Sequence, residues 1–457
     1  MSTADFKLAE EPIRFRHGAP TVIFCIGFAA LLPTAALFGG MEFLLLVLAV
    51  GLALIVWVRP QEAPGAGMLF LFAAGILLPY GARFDVDGDI WQMYYWAAGL
   101  LIITVSAVLR LGIGRVWQIP LSAKVFLLVA LTAACYGITH QESASYVLRQ
   151  LYGVVLLIAY LAIGICAGNQ ELLLKRIRTF GVLCALCFFV YYAAVFSEYG
   201  FHKEMGFNGT QASLLAAFLF LCGLERRKRR WMIEAIVILV VALLIFMRKD
   251  FLSFVVVLPI AWAMKSQSTR TRIACGLVVG LITLISLFPP LTEVIADELL
   301  KTPVIGKLLP PGVQDASTLI GRTAQLEATM ETIQTHPWLG VGMGGELEIV
   351  DPLTHVLHIQ LYEDNGWGYL LQKMGLVGGA AFVWLLVTVL SSFSRHSVAL
   401  SACILSAILV TMFSEPVFFH FTTAPFLGTY AGLLFSRKQR FRFLKARLQN
   451  APAALPS

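Results

Sequence analysis

Four cations in this sequence are of the kind that binds phosphate: Arg149 in SYVLRQLYGVV, the adjacent Arg248 and Lys249 in IFMRKDFLSF, and Arg322 in LIGRTAQLEATMETIQTHPWLGVG. A guanidinium presents a planar fork of donors that matches two phosphate oxygens at once, and a lysine adds a point charge. Fixed cations of this sort suit a pyrophosphate, whether it is held as a bound group or neutralised as it leaves. Taken singly, each also reads as an interfacial cation with its stem in lipid and its head in water.

Other patterns carry less chemistry. Asp85, Asp87 and Asp89 form a DxDxD in FDVDGDI, but the twelfth position of that loop is Trp96, so it is no EF-hand and reads as a solvated turn. Cys184 and Cys187 form a CxxC without a second ligand pair. All eight cysteines fall in apolar runs and read as packing residues, so no metal site is expected. GVGMGG at 340–345 follows no strand and is not a dinucleotide fingerprint. Nor does Asn208-Gly209-Thr210, a sequon, or the loop pair His202 and Lys203 imply a site of its own.

The elements that must position these groups are membrane spans. The chain of 457 residues is 58% hydrophobic and 13% charged, against about a quarter charged in soluble domains. A span needs about 20 largely apolar residues. Such runs stand at 19–38, 41–58, 66–82, 91–109, 119–138, 147–167, 178–197, 208–224, 231–247, 251–264, 273–289, 374–392, 397–414 and 422–436. The fold expected is therefore all-α and polytopic, with about 12–14 transmembrane helices; the short run 251–264 is the least certain to cross by itself. Asp5, Glu10 and Glu11 precede the first run and no small-residue cleavage site follows it, so it reads as an uncleaved span. With the amino terminus inside, 25 of the 34 Lys and Arg fall in cytoplasmic segments and nine outside, which sets the orientation. The net charge of +7 is thus a matter of topology and not of nucleic-acid binding.

That orientation organises the chain as a cytoplasmic segment 1–18, spans over 19–289, one large outer loop 290–373, spans over 374–436, and a basic cytoplasmic tail 437–457. The tail alternates cations with Phe441, Phe443 and Leu444, which suits an anionic membrane surface. Within the loop, 354–373 reads as an amphipathic helix that carries His355, His358, Asp364 and Asn365. All four cations of the first paragraph fall on the outer side, against the positive-inside bias.

Gly321-Arg322, followed after an interval by Pro337-Trp338-Leu339-Gly340-Val341-Gly342, resembles the "GR … P-x-x-G-x-G" stretch in the outer loop of bacterial O-antigen ligases and of O-antigen and exopolysaccharide polymerases. The run Asp364-Asn365-Gly366-Trp367-Gly368-Tyr369, continuing to Gly375-Leu376-Val377-Gly378, is similar to that family's "HN-x-y-L … G-L-x-G" helix, and Arg248 sits where the family often has an outer Ser-Arg pair. The resemblance covers 248–378 in motifs and the whole chain in topology, with one departure: Asp364 stands where the family usually has His.

The resemblance implies a GT-C-like membrane glycosyltransferase of the bacterial inner membrane, acting at its outer face without a cofactor. Its donor would be a glycan on undecaprenyl pyrophosphate. Arg322 and Arg248, helped by Lys249 and Arg149, would bind the pyrophosphate. Asp364, or else His355 or His358, would take the acceptor proton, and Asn365 would orient the acceptor. A polymerase of repeat units is favoured, with ligation to lipid A core as the alternative. The implied partners are the lipid-linked glycan, membrane lipids, and the flippase and chain-length regulator of such a pathway. A lipid-glycan or solute transporter is the rival of another class; against it, Glu234 near a cytoplasmic span end is the nearest approach to a mid-span coupling acid. A metal-dependent transferase using the DxDxD is a third reading.

Overall fold

The structure, a computed structural model, describes residues 41–77, 90–140, 143–166, 178, 209–244, 248–287, 327–345, 347–350, 357–360, 365–392, 398–409, 412, 418–420 and 423–449. Among them twelve long helices follow the apolar runs. These are α1 (Met41–Val58), α2 (Ala63–Leu77), α3 (Ile90–Leu111), α4 (Leu121–Thr139), α5 (Ala144–Cys166), α6 (Gly209–Arg226), α7 (Arg229–Leu244), α8 (Arg248–Lys265), α9 (Thr269–Leu287), α10 (Gly366–Leu390), α11 (Val398–Leu409) and α12 (Ala424–Gln449). In lipid a backbone has no water to bond, so a spanning segment satisfies its own amides and carbonyls by coiling into a helix. Helices α4, α5 and α10 are each long and apolar enough to cross a bilayer, and further apolar helices accompany them. The expected spans 19–38 and 178–197 lie outside the described residues, Arg178 excepted.

The outward faces are as apolar as the core. Leu277 on α9 is 70% exposed, Trp262 on α8 68% and Leu54 on α1 58%. A water-soluble protein does not array large side chains outward along several helices, because each would forgo its burial. Here the hydrocarbon takes the place of a second packing layer. The chain is an all-α polytopic membrane protein.

Small residues set the closest helix contact. Gly164 on α5 meets Thr429 and Gly432 on α12, and a Cβ at Gly432 would overlap the Leu161 carbonyl and one at Gly428 the Leu157 carbonyl. Such a small-xxx-small pair lets two backbones approach and is a common glue between helices in lipid. The contacts pair Gly153 with Phe419 at one end and Gly164 with Leu433 at the other, so α5 and α12 run parallel. At the far end from Phe419, α12 continues without a break through the basic tail to Gln449. Helix α8 is continuous through Pro259, so the short run 251–264 lies within a single helix.

An ion-pair cluster joins helix ends. The Arg178 guanidinium donates twice to the Glu234 carboxylate, at 2.6 Å each, and Arg230 adds a bond at 2.9 Å. Arg178 also lies over the Trp231 ring, 4.8 Å from its centre. This cluster accounts for Glu234 as a structural partner of cations at the α6–α7 turn, where Arg227, Lys228, Arg229 and Arg230 are exposed.

One expectation fails in the large loop. In place of an amphipathic helix over 354–373, β1 (Leu347–Val350) pairs antiparallel with β2 (Leu357–Gln360), and helix begins only at Gly366. The register sets Leu347 opposite Gln360, Glu348 opposite Ile359, Ile349 opposite His358 and Val350 opposite Leu357. The reason is a period of two. Leu357, Ile359 and Leu361 alternate with His358 and Gln360, as Leu347 and Ile349 alternate with Glu348, which is a strand pattern and not a helical one. The last helix of this region also starts ahead of the expected span boundary at 374.

Candidate active site

The two stretches Pro337–Gly342 and Asn365–Gly378, far apart in sequence, are joined through their backbones. Inside α10, Gly375 is not helical, with φ 59° and ψ −163°. That break frees the Leu376 and Val377 amides from their partners one turn back. They donate instead to the carbonyls of Pro337, at 2.8 Å, and Trp338, at 3.1 Å, while the released Gln372 carbonyl accepts from the Val341 amide at 2.8 Å. Three backbone bonds thus splice an incoming loop into the gap of a broken helix. Glycine is needed on both sides. A Cβ at Gly375 would overlap the Trp338 carbonyl, and one at Gly340 (φ 66°) the Gln372 carbonyl.

From the splice the glycine loop 340–345 runs into the bundle between α4 and α5. The Met343 amide donates to the Ala133 carbonyl on α4 at 3.1 Å, and Gly137 is the residue that lets Met343 lie this close. Gln150 on α5 accepts from the Gly344 amide at 2.8 Å, and the Lys373 ammonium on α10 donates to the Gly345 carbonyl. Gln150, Gln372 and Lys373 are all buried, Gln372 and Lys373 completely. The Gln372 side-chain amide has no hydrogen-bond partner at either end. Beneath the loop, Phe126, Trp367, Tyr369, Phe382, Phe418 and Phe419 pack ring on ring with centroids 5.1–6.1 Å apart. This floor of aromatics fixes α4, α10 and the entry to α12 against one another.

Arg149 is the one expected pyrophosphate ligand that the structure places at this site. It precedes Gln150 on α5, is half-buried, and its charge acts on Tyr369, one turn from Lys373 on α10. Arg248 and Lys249 are the first residues of α8. That helix packs on α6, α9 and α11, whereas the glycine loop packs on α4, α5 and α10, so these two cations belong to a different set of helices from Arg149. His358 lies on β2 opposite Ile349. Arg322, His355 and Asp364 lie outside the described residues, as do Asp85, Asp87 and Asp89.

Asn365 is at the site with a definite local role. Its Oδ1 accepts from the amides of Trp367 at 2.9 Å and Gly368 at 3.1 Å, which caps α10. That oxygen is therefore engaged in the helix cap.

Reading the residues one by one missed three kinds of group here. Lys373 is a charge inside an apolar run, and that rarity alone marks it as a candidate. Gln150 and Gln372 gave no such signal, because a glutamine near a span end is ordinary. The histidines His140, His336 and His420 were not singled out either. They sit at the end of α4, just before Pro337 and just before α12, so all three stand at the end of the bundle that the loop enters, and all three are exposed. Among the described residues no three His, Cys, Asp or Glu side chains gather as metal ligands, and the described cysteines are free thiols.

Together these parts form one end of a helix bundle with a half-buried guanidinium, a buried ammonium, exposed imidazoles at the rim and a loop whose backbone is hydrogen-bonded to α4, α5 and α10. No protein-family model matches the chain, and no curated protein matches it.

Proposed function

We propose that the chain is a polymerase that joins oligosaccharide repeat units carried on undecaprenyl pyrophosphate, at the outer face of a bacterial inner membrane. One observation carries the reading. The two stretches that resemble the ligase and polymerase family, 337–342 and 365–378, are one spliced unit, and Arg149 stands beside it. A shared spacing between distant motifs has a physical cause if the motifs bond to each other.

In this reading the enzyme is a GT-C-like glycosyltransferase that needs no nucleotide sugar, metal or other cofactor. The acceptor hydroxyl oxygen attacks the anomeric carbon of the donor, the carbon–oxygen bond to pyrophosphate breaks with inversion, and undecaprenyl pyrophosphate leaves. The hydroxyl proton passes to Asp364, or to His355 or His358. Arg322 and Arg149 hold the departing pyrophosphate, with Arg248 and Lys249 contributing from α8 if that helix lies across the same entrance. Cations fixed in a site with little water stabilise developing phosphate charge more than mobile water does.

The test is the glycan of a deletion strain complemented with variants. Single-repeat glycans in the deletion support the polymerase. Loss of capped core with lipid-linked polymer retained overturns it in favour of a ligase. Arg322→Ala abolishes polymer at normal membrane levels, and Arg322→Lys rescues poorly because it lacks the fork. Asp364→Asn lowers polymer formation by about two orders of magnitude if this carboxylate is the base. Asp364→His keeps more activity than Asn, and His355→Ala and His358→Ala are mild. Full activity in Arg322→Ala and in Asp364→Asn refutes both assignments.

A further inference from the structure

Lys373 is the most unusual side chain in the described residues. Its whole side chain is buried within a membrane protein, and its ammonium donates to a backbone carbonyl, that of Gly345. A lysine in lipid or in a dry core is costly unless its charge is put to use. The position of that carbonyl indicates the use. Gly345 is the last residue of the glycine loop, and β1 begins at Leu347. The neighbouring Gly344 amide is held by Gln150 from the other side. The returning strand β2 ends at Gln360, and the chain is fixed again at Asn365 by its cap on α10. The ribbon that carries His358 therefore leaves and rejoins the bundle between pinned points, and on the leaving leg the pins are two side chains, Gln150 and Lys373.

We infer that Lys373 is a positioning residue: by holding the Gly345 carbonyl it fixes where the β1–β2 ribbon leaves the membrane-embedded bundle. The bond is suited to the task. The carbonyl of a glycine with no side chain of its own is accessible to a long donor from a neighbouring helix. Gly344 precedes it with φ 91°, a conformation that other residues rarely adopt, so the turn depends on external bonds to keep its shape. An ammonium gives a stronger bond to the carbonyl than a neutral donor would. Its location on α10, the helix broken at Gly375, links the ribbon to the splice two residues away.

The activity arm of the test rests on the polymerase reading, and the structural arm does not. Full-length protein in lipid nanodiscs is followed by hydrogen–deuterium exchange over 344–350. In the wild type these amides are expected to exchange slowly, and rapid exchange there overturns the inference outright. Lys373→Met, which keeps the length and removes the donor, raises exchange over 344–350 by tenfold or more while leaving 369–390 protected. Lys373→Gln, which keeps a donor without the charge, falls between. With a lipid-linked repeat unit as substrate, Lys373→Met lowers kcat by about tenfold to a hundredfold with KM for the donor within twofold, the effect of a misplaced group. A structural plug would instead lower the folded fraction and leave kcat per folded molecule unchanged, which refutes positioning. If Lys373→Met does not fold, the wild-type exchange and Lys373→Gln still decide. Loosened exchange in a protein whose wild type polymerises nothing leaves the inference standing and defeats the polymerase reading.

Discussion

Replacing Gly375 by Ala tests the splice at its centre. The wild-type conformation, φ 59° and ψ −163°, lies in a region that essentially only glycine occupies, and forcing another residue there costs on the order of 1–3 kcal/mol. The added methyl would also overlap the Trp338 carbonyl, which is backbone and cannot swing aside. The alternative is for α10 to become regular. The Gln372 carbonyl then takes back the Leu376 amide, the Val341 amide is expelled, and the bonds to Pro337 and Trp338 are lost. At about 1 kcal/mol net for each of the three, less what the repaired helix regains, this route loses about 2 kcal/mol. The cheaper route sets the result, so Gly375→Ala destabilises by about 2 kcal/mol at most. Reversible unfolding of the detergent-solubilised protein measures it, with Gly276→Ala as the reference. Gly276 lies in α9, where a Cβ meets nothing within 4 Å, and Ala there is neutral or stabilises by about 0.5–1 kcal/mol. Equal stabilities for the two variants would show that the break is not a required feature and that the splice does not hold the loop.

Other expectations follow from the same packing. Asn365→Ala removes the cap of α10 and costs about 1 kcal/mol, while Asn365→Asp keeps the cap and the activity; if the Asp variant folds normally and is inactive, the amide has a chemical role as well. Gly432→Leu cannot be accommodated against the Leu161 carbonyl and separates α5 from α12, which fluorescence-detected size exclusion reads as loss of the monodisperse peak. An unchanged peak contradicts the close approach. Phe382→Ala empties the middle of the aromatic floor, where Phe382 meets Phe126, Phe418, Phe419 and Trp367. It costs about 3–5 kcal/mol in the same unfolding assay, and a cost below about 1 kcal/mol means that the cluster does not hold the site together.

How much of this was legible in the sequence depended on whether the signal was local. Apolar runs gave the spans, because lipid requires the same thing of every residue in a span and no tertiary contact is needed to see it. The ribbon was legible and misread: Leu357-His358-Ile359-Gln360-Leu361 alternates with period two, but it adjoins a helical run that drew it into a helix. The splice was not legible. Gly375-Leu376-Val377-Gly378 looks like the start of an ordinary apolar span, and nothing local announces that the loop at Pro337 occupies its missing bonds. The family spacing pointed at both segments without giving the reason. Asn365 shows the converse case. Its place in a motif suggested chemistry, whereas an Asn ahead of a Gly-rich helix start is an ordinary cap.

Since the splice is made of main-chain bonds, the side chains along it are largely free to vary. Trp338, Leu376 and Val377 are 68%, 46% and 40% exposed, and their contribution to the junction is an amide or a carbonyl that any residue but proline supplies in full. What must be inherited is Gly340, Gly375 and the length of chain between them. An architecture specified in this way carries little information in residue identity. Two descendants of one ancestor could keep the junction intact and still share few letters across it. Distant copies would then be found by glycine spacing against a background of apolar runs, not by overall identity, and a designer could graft new substrate contacts onto the outer face of the loop without disturbing the frame that holds it.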